Sequence, residues 1–62
     1  MEIHIEKEIL TGNGTGSIEY DVIHNAMPSD AQFYTKAFIE QSVITAPVGK
    51  QDYKILSIAI IE

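Results

Sequence analysis

Three groups of side chains have types and spacing that could do chemistry. Gly12, Gly14 and Gly16 alternate through "LTGNGTGSIEY", a spacing that suggests a backbone cradle for phosphate. His4, Glu6 and Glu8 stand two residues apart, so on an extended chain they point the same way and offer an imidazole and two carboxylates to a hard cation such as Ca²⁺, Mg²⁺ or Mn²⁺. Glu2, Glu6, Glu8, Glu19 and Asp21 are candidates for a shared acidic surface that meets lysines and arginines of another molecule.

The phosphate reading fails on context. A phosphate-binding loop requires G-x-x-x-x-G-K-[ST] opening a helix, and a dinucleotide fingerprint also runs from strand through glycines into helix. Here no lysine follows the glycines, and the next segment alternates like a strand. Asn13-Gly14 is instead the favoured pair for a two-residue type I′ hairpin turn. The metal reading is weak because an exposed strand supplies no enclosing loop, and the absence of cysteine removes thiolate ligands. No metal or cofactor is therefore expected. No nucleophile has a base beside it, since the two histidines are expected on opposite faces of the hairpin, with His24 inward. Tautomerases of similar length need proline directly after the initiator methionine, where this chain has Glu2. An enzyme is not expected.

Alternating and helical periodicities define the elements that must position these groups. "MEIHIEKEIL" places Met1, Ile3, Ile5 and Ile9 on one face, with Lys7 the exception, and Glu2, His4, Glu6 and Glu8 on the other. "SIEYDVIHNA" alternates as a second strand, with Ile18, Tyr20, Val22, His24 and Ala26 sharing the inward face and Glu19, Asp21, Ile23 and Asn25 the opposite one. Ser29 and Gln32 form a capping box for a helix over about 29–43, with Asp30 in its first turn. Ala31, Phe33, Tyr34, Ala37 and Phe38 make its inward arc, and Ile39 and Val43 lie outside it. Residues 44–52 read as a loop punctuated by Pro47 and Gly49. Residues 53–61 form a strand that is apolar on both sides.

The expected fold is thus α+β: a single β-β-α-β domain comprising a hairpin over 1–26, one helix packed on one face, and a mainly antiparallel three-stranded sheet. A right-handed return favours the order 2-1-3, with 1-2-3 as the alternative. A turn centred on Asn13-Gly14 sets Glu8 opposite Glu19 and Glu6 opposite Asp21. Those like charges oppose pairing by a few tenths of a kcal/mol to about 1 kcal/mol each. They also collect Glu2, Glu6, Glu8, Glu19 and Asp21 on one open face.

A chain of 62 residues with nine acids, four lysines and no arginine carries a net charge of −5. Arginine is the preferred fork for phosphate and base edges, so direct nucleic-acid binding is not expected. No apolar run approaches the roughly 18 residues of a membrane span, and no basic segment leads into an apolar one. A cytoplasmic protein without membrane contact is expected. In size, acidity and layout the chain resembles the small proteins that bacteriophages make to inhibit host enzymes or defence complexes, a likeness carried by no specific motif. It implies a non-enzymatic inhibitor or modulator, active in the host cytoplasm if phage-encoded. Its partner would present a basic protein surface, of the kind found on nucleic-acid-processing proteins, and the acidic face would imitate nucleic acid. The second expectation is an assembly module that forms a homodimer through the last strand, with Ile55, Ser57, Ala59 and Ile61 on its open face.

Overall fold

The computed structural model describes all 62 residues. Strands β1 (Glu2–Ile9) and β2 (Ile18–Ile23) precede helix α1 (Pro28–Glu40), a short strand β3 (Val43–Ile44) and the long strand β4 (Tyr53–Ile61). They make a small α+β domain with one antiparallel four-stranded sheet in the order β2-β1-β4-β3. The last long strand lies beside the first, as the right-handed return predicts. The expected three strands become four because Val43 and Ile44 pair with Lys54 and Tyr53.

Helix α1 begins one residue before the expected start. Met27 is its N-cap, and the Met27 N–H donates to Asp30 Oδ2 at 2.9 Å. Pro28 occupies the first helical position, where its missing N–H leaves no bond unmade. Asp30 then serves both as the reciprocal cap and as the negative charge at the positive helix end. The Ser29–Gln32 capping box is not formed. The helix also ends earlier than expected, at Glu40. Gln41 turns left-handed (φ 54°), the Ser42 N–H donates to Ala37 O at 3.1 Å, and Gln41 Nε2–H donates to Phe38 O at 2.7 Å. The β-branched run Val43-Ile44-Thr45 that follows favours extended backbone over another helical turn.

The core is small. Ile3, Ile5, Ala26, Ala37 and Ile55 are buried against one another, with Tyr34, Phe38, Ile44 and Ile58 packed around them. The helix lies closest to β4, so it covers the β1–β4 half of the sheet. Phe33 departs from the expected inward arc. It is 55 % exposed and meets the edge of Tyr34, with ring centroids 5.2 Å apart.

A bulge corrects the faces of β4. Lys7 pairs with Ile55 and Glu6 with Ser57, which leaves Leu56 as an extra residue. Ile55 therefore turns into the core and is fully buried, not on the open face where strict alternation places it. Ser57, Ala59 and Ile61 lie opposite Glu6, His4 and Glu2, on the open face as expected.

The hairpin is wider than a two-residue turn. Ile9 and Ser17 close it, with the Ile9 N–H donating to Ser17 O at 3.0 Å, and Leu10 to Gly16 form the loop. Its reversal lies at Gly14–Ser17, where the Ser17 N–H donates to Gly14 O at 2.9 Å and Gly16 takes a positive φ of 90° at the third position. The loop is tied to the 45–52 connection: Gln51 Nε2–H donates to Asn13 O, and the Asp52 N–H donates to Thr11 Oγ1 at 3.0 Å. A Cβ at Gly12 would stand 3.3 Å from that Gln51 side chain.

This loop shifts the β1–β2 register by one residue from the expected one. Ile3 pairs with Ile23, Ile5 with Asp21, Glu6 with Tyr20, Lys7 with Glu19 and Glu8 with Ile18. Both expected acid–acid pairs disappear. Lys7, the lone charge on the inner face of β1, gains two acidic neighbours, with Nζ 2.8 Å from Asp21 Oδ2. The shifted register relieves like-charge repulsion and neutralises a largely enclosed ammonium. The price is exposing Ile18 and Tyr20, which β2 tolerates because the helix lies over β4 instead.

Candidate functional site

Opposite the helix, the sheet has an uncovered face. Its centre line is β1, which presents Glu2, His4, Glu6 and Glu8. On the β2 side stand Ile18 and Tyr20, 55 % and 63 % exposed, and Val22. On the β4 side stand Ser57, Ala59 and Ile61, with Lys54 opposite Glu8 at one end. Three carboxylates thus run between two flanks that are partly apolar, and Lys54 is the cation paired to that row.

The register separates the five acids grouped from sequence. Glu2, Glu6 and Glu8 share the open face. Glu19 and Asp21 lie on the other side, opposite Lys7 and Ile5. There Glu19, Lys7, Lys50 and Tyr53 line a hollow of about 280 Å³. The Lys7 ammonium sits 4.5 Å from the centroid of the Tyr53 ring, a cation–π contact. Burial, reinforced by the nearby Tyr34, pushes the Tyr53 hydroxyl from its ordinary 10.0 up to about 12.

The same shift brings the two histidines together, correcting the expectation that they face apart. His24 is exposed, not tucked into the core, and its Nδ1 lies 3.0 Å from Glu2 Oε2. His4 Nε2 lies 3.1 Å from Glu2 Oε1, and its Nδ1 hydrogen-bonds the Tyr20 hydroxyl. An ionised carboxylate only accepts, so both histidine nitrogens facing Glu2 carry hydrogen, and in neutral His4 the Tyr20 O–H donates to Nδ1. Hydrogen bonds from His4 and then His24 hold the Glu2 carboxyl below its ordinary 4.5. The result is a chain, Tyr20–His4–Glu2–His24, along the rim of the open face.

Chemically, this chain can hold and pass protons, but it lies on an open surface. None of its four residues lines any of the three hollows of the molecule. Glu6 is engaged elsewhere, accepting from Ser57 Oγ–H at 3.0 Å. His4, Glu6 and Glu8 do not converge, and no three His, Asp or Glu side chains are grouped to hold a metal ion. Sequence reasoning missed Ile18 and Tyr20 as surface residues and His24 as a partner of Glu2. The signal that could have found them was the like-charge opposition implied by the wrong register.

No protein-family model matches the chain, no curated protein matches it in sequence, and no solved structure matches it in fold. No helix is long and apolar enough to cross a membrane.

Proposed function

We propose that the protein is a small, non-enzymatic binding module that docks its open sheet face on a basic surface of another protein and inhibits or modulates it. The observation that carries this reading is the row Glu2, Glu6 and Glu8 on the central strand, flanked by exposed Tyr20, Ile18 and Ile61. Aromatic and aliphatic side chains beside a charge row are what a protein interface uses, the apolar part for affinity and the charges for steering and orientation. A partner that normally holds nucleic acid offers the matching basic surface. The non-enzymatic part of the reading is supported by the open setting of the Tyr20–His4–Glu2–His24 chain, since preorganised catalysis needs a site that excludes water.

The test is affinity capture from a bacterial lysate at low and high salt, comparing the native chain with Glu6→Lys/Glu8→Lys and with Glu19→Lys. Salt-sensitive capture of a defined partner should be lost in the double variant and kept in Glu19→Lys, which changes the other face. Circular dichroism checks that all three chains fold. Retention of the same partner by the double variant rejects the reading.

A further inference from the structure

We infer that the acidic face carries a proton switch: protonation of His4 and His24 cancels the negative excess of the row and weakens docking on a basic surface. The inference rests on the reading of this face as a docking surface and adds what regulates it. His4 and His24 are the only two histidines of the chain, and both meet the carboxylate of Glu2, one from within β1 and one from just past β2. Imidazole is the one side chain whose ordinary charge change falls between pH 5 and 8. Carboxylates of ordinary acidity stay ionised there. Hydrogen bonds from His4 and then His24 hold the Glu2 carboxyl below its ordinary 4.5, so the shared acceptor keeps its charge while the imidazoles gain theirs.

The hydrogen bonds let both protons arrive without breaking the chain. Neutral His24 donates Nδ1–H to Glu2 Oε2 at 3.0 Å, which leaves Nε2 to take a proton. Neutral His4 donates Nε2–H to Glu2 Oε1 at 3.1 Å and accepts from Tyr20 at Nδ1. A proton added at Nδ1 makes that nitrogen a donor, and the Tyr20 hydroxyl must turn to accept from it. Tyr20 then directs its own hydrogen away from His4, towards water or a docked partner. Both bonds to Glu2 remain and become charge-assisted. What changes is the face. With neutral imidazoles, the carboxylates of Glu2, Glu6 and Glu8 stand against the single ammonium of Lys54. With both protonated, three cations stand against those three carboxylates. The surroundings supply no compensating acid. β1 adds Glu6 beside His4, β2 adds Tyr20, and β4 brings Ser57, Ala59 and Ile61, none of them titratable. The N-terminal ammonium bonds Ala26 O at 3.4 Å, two residues beyond His24.

Fluorescence anisotropy of a dye-labelled oligo-arginine peptide, at low ionic strength and at pH 7.5 and 5.5, tests this, because arginine keeps its charge throughout. The native chain should bind about three- to tenfold more weakly at pH 5.5, the scale of two exposed charge contacts. His4→Gln/His24→Gln retains an N–H donor at each position but takes no proton, and it should bind alike at both values. His24→Gln alone, at an exposed position, should show an intermediate pH dependence. The N-terminal amine is common to every chain and cancels in the comparison. Proton NMR of the native chain should show the Tyr20 ring resonances moving with the His4 titration. Native binding that is salt-sensitive but equal at both pH values overturns the inference alone, as does an undiminished pH dependence in the double variant. Failure of the folded native chain to bind at either pH, or binding that Glu6→Lys/Glu8→Lys retains, rejects the docking reading and the inference with it.

Discussion

β2 and β4 flank the same strand and pair with it in the same antiparallel sense, but they are held in different ways. β4 sends Ile55 into the core and lies under the helix. β2 has no fully buried residue and is fixed by its backbone ladder, by Lys7–Asp21 and by the His24–Glu2 contact at its end. A strand held by apolar packing has its faces dictated by hydrophobic pattern. A strand held by charge and loop geometry can trade that pattern for better electrostatics, and β2 does.

The sharpest way to break this contrast is to truncate one aliphatic side chain on each strand. Ile55→Ala should destabilise the fold by roughly 2–5 kcal/mol in urea unfolding, because it leaves a cavity in the one small core cluster. Ile18→Ala on β2 should stay within about 0.5 kcal/mol. Comparable losses would show that β2 is as firmly packed as β4.

Tyr53, also on β4, gives the next largest effect. Its hydroxyl pKa is raised on folding, so the unfolded chain ionises first as pH rises. Stability tied to this group is complete below pH 10.0 and lost towards about 12. A tyrosinate absorbance titration of the native protein should show one of the three tyrosines ionising late, and Tyr53→Phe should remove that phase.

On the β2 side, a double-mutant cycle on Lys7→Met and Asp21→Asn should return a coupling of about 0.2–1 kcal/mol, since the Asp21 carboxylate is more than half exposed. A coupling of zero would mean that the loop alone sets the register. Smallest of all should be the acid effect at Glu2. Its carboxyl pKa is depressed in the folded chain, so its stabilising contribution is present above the ordinary 4.5 and fades as pH falls through the lower native value. Urea midpoints followed into the carboxylate range should fall slightly less steeply for Glu2→Gln than for the native chain.

The same contrast explains what was legible in the sequence. The alternation of Ile3, Ile5 and Ile9 and the neighbouring place of the last strand could be read because apolar burial decides both. The β2 register could not be read from the Asn13-Gly14 signal, which competes with a loop whose ties run to Thr11, Asn13, Gln51 and Asp52, remote in sequence. Lys7 on the inner face was a visible anomaly, and the two acid–acid oppositions were a second. Taken together, they ask for a one-residue slip that supplies Lys7 with Asp21. The acidic face was accordingly half legible: the β1 acids stay where alternation puts them, and the β2 acids do not. Ile55 was misplaced because a bulge leaves no mark in a run that is aliphatic on both sides.

Leu56 has a further consequence. It is the residue at which the parity of β4 changes, so odd-numbered positions face the core before it and the open side after it. Removing Leu56 alone would close the strand into regular alternation while every other side chain kept its side. Removing a residue from the regular stretch beyond it would turn the remaining tail inside out. Leu56 is thus the point where this chain can change length by one without changing what either surface displays.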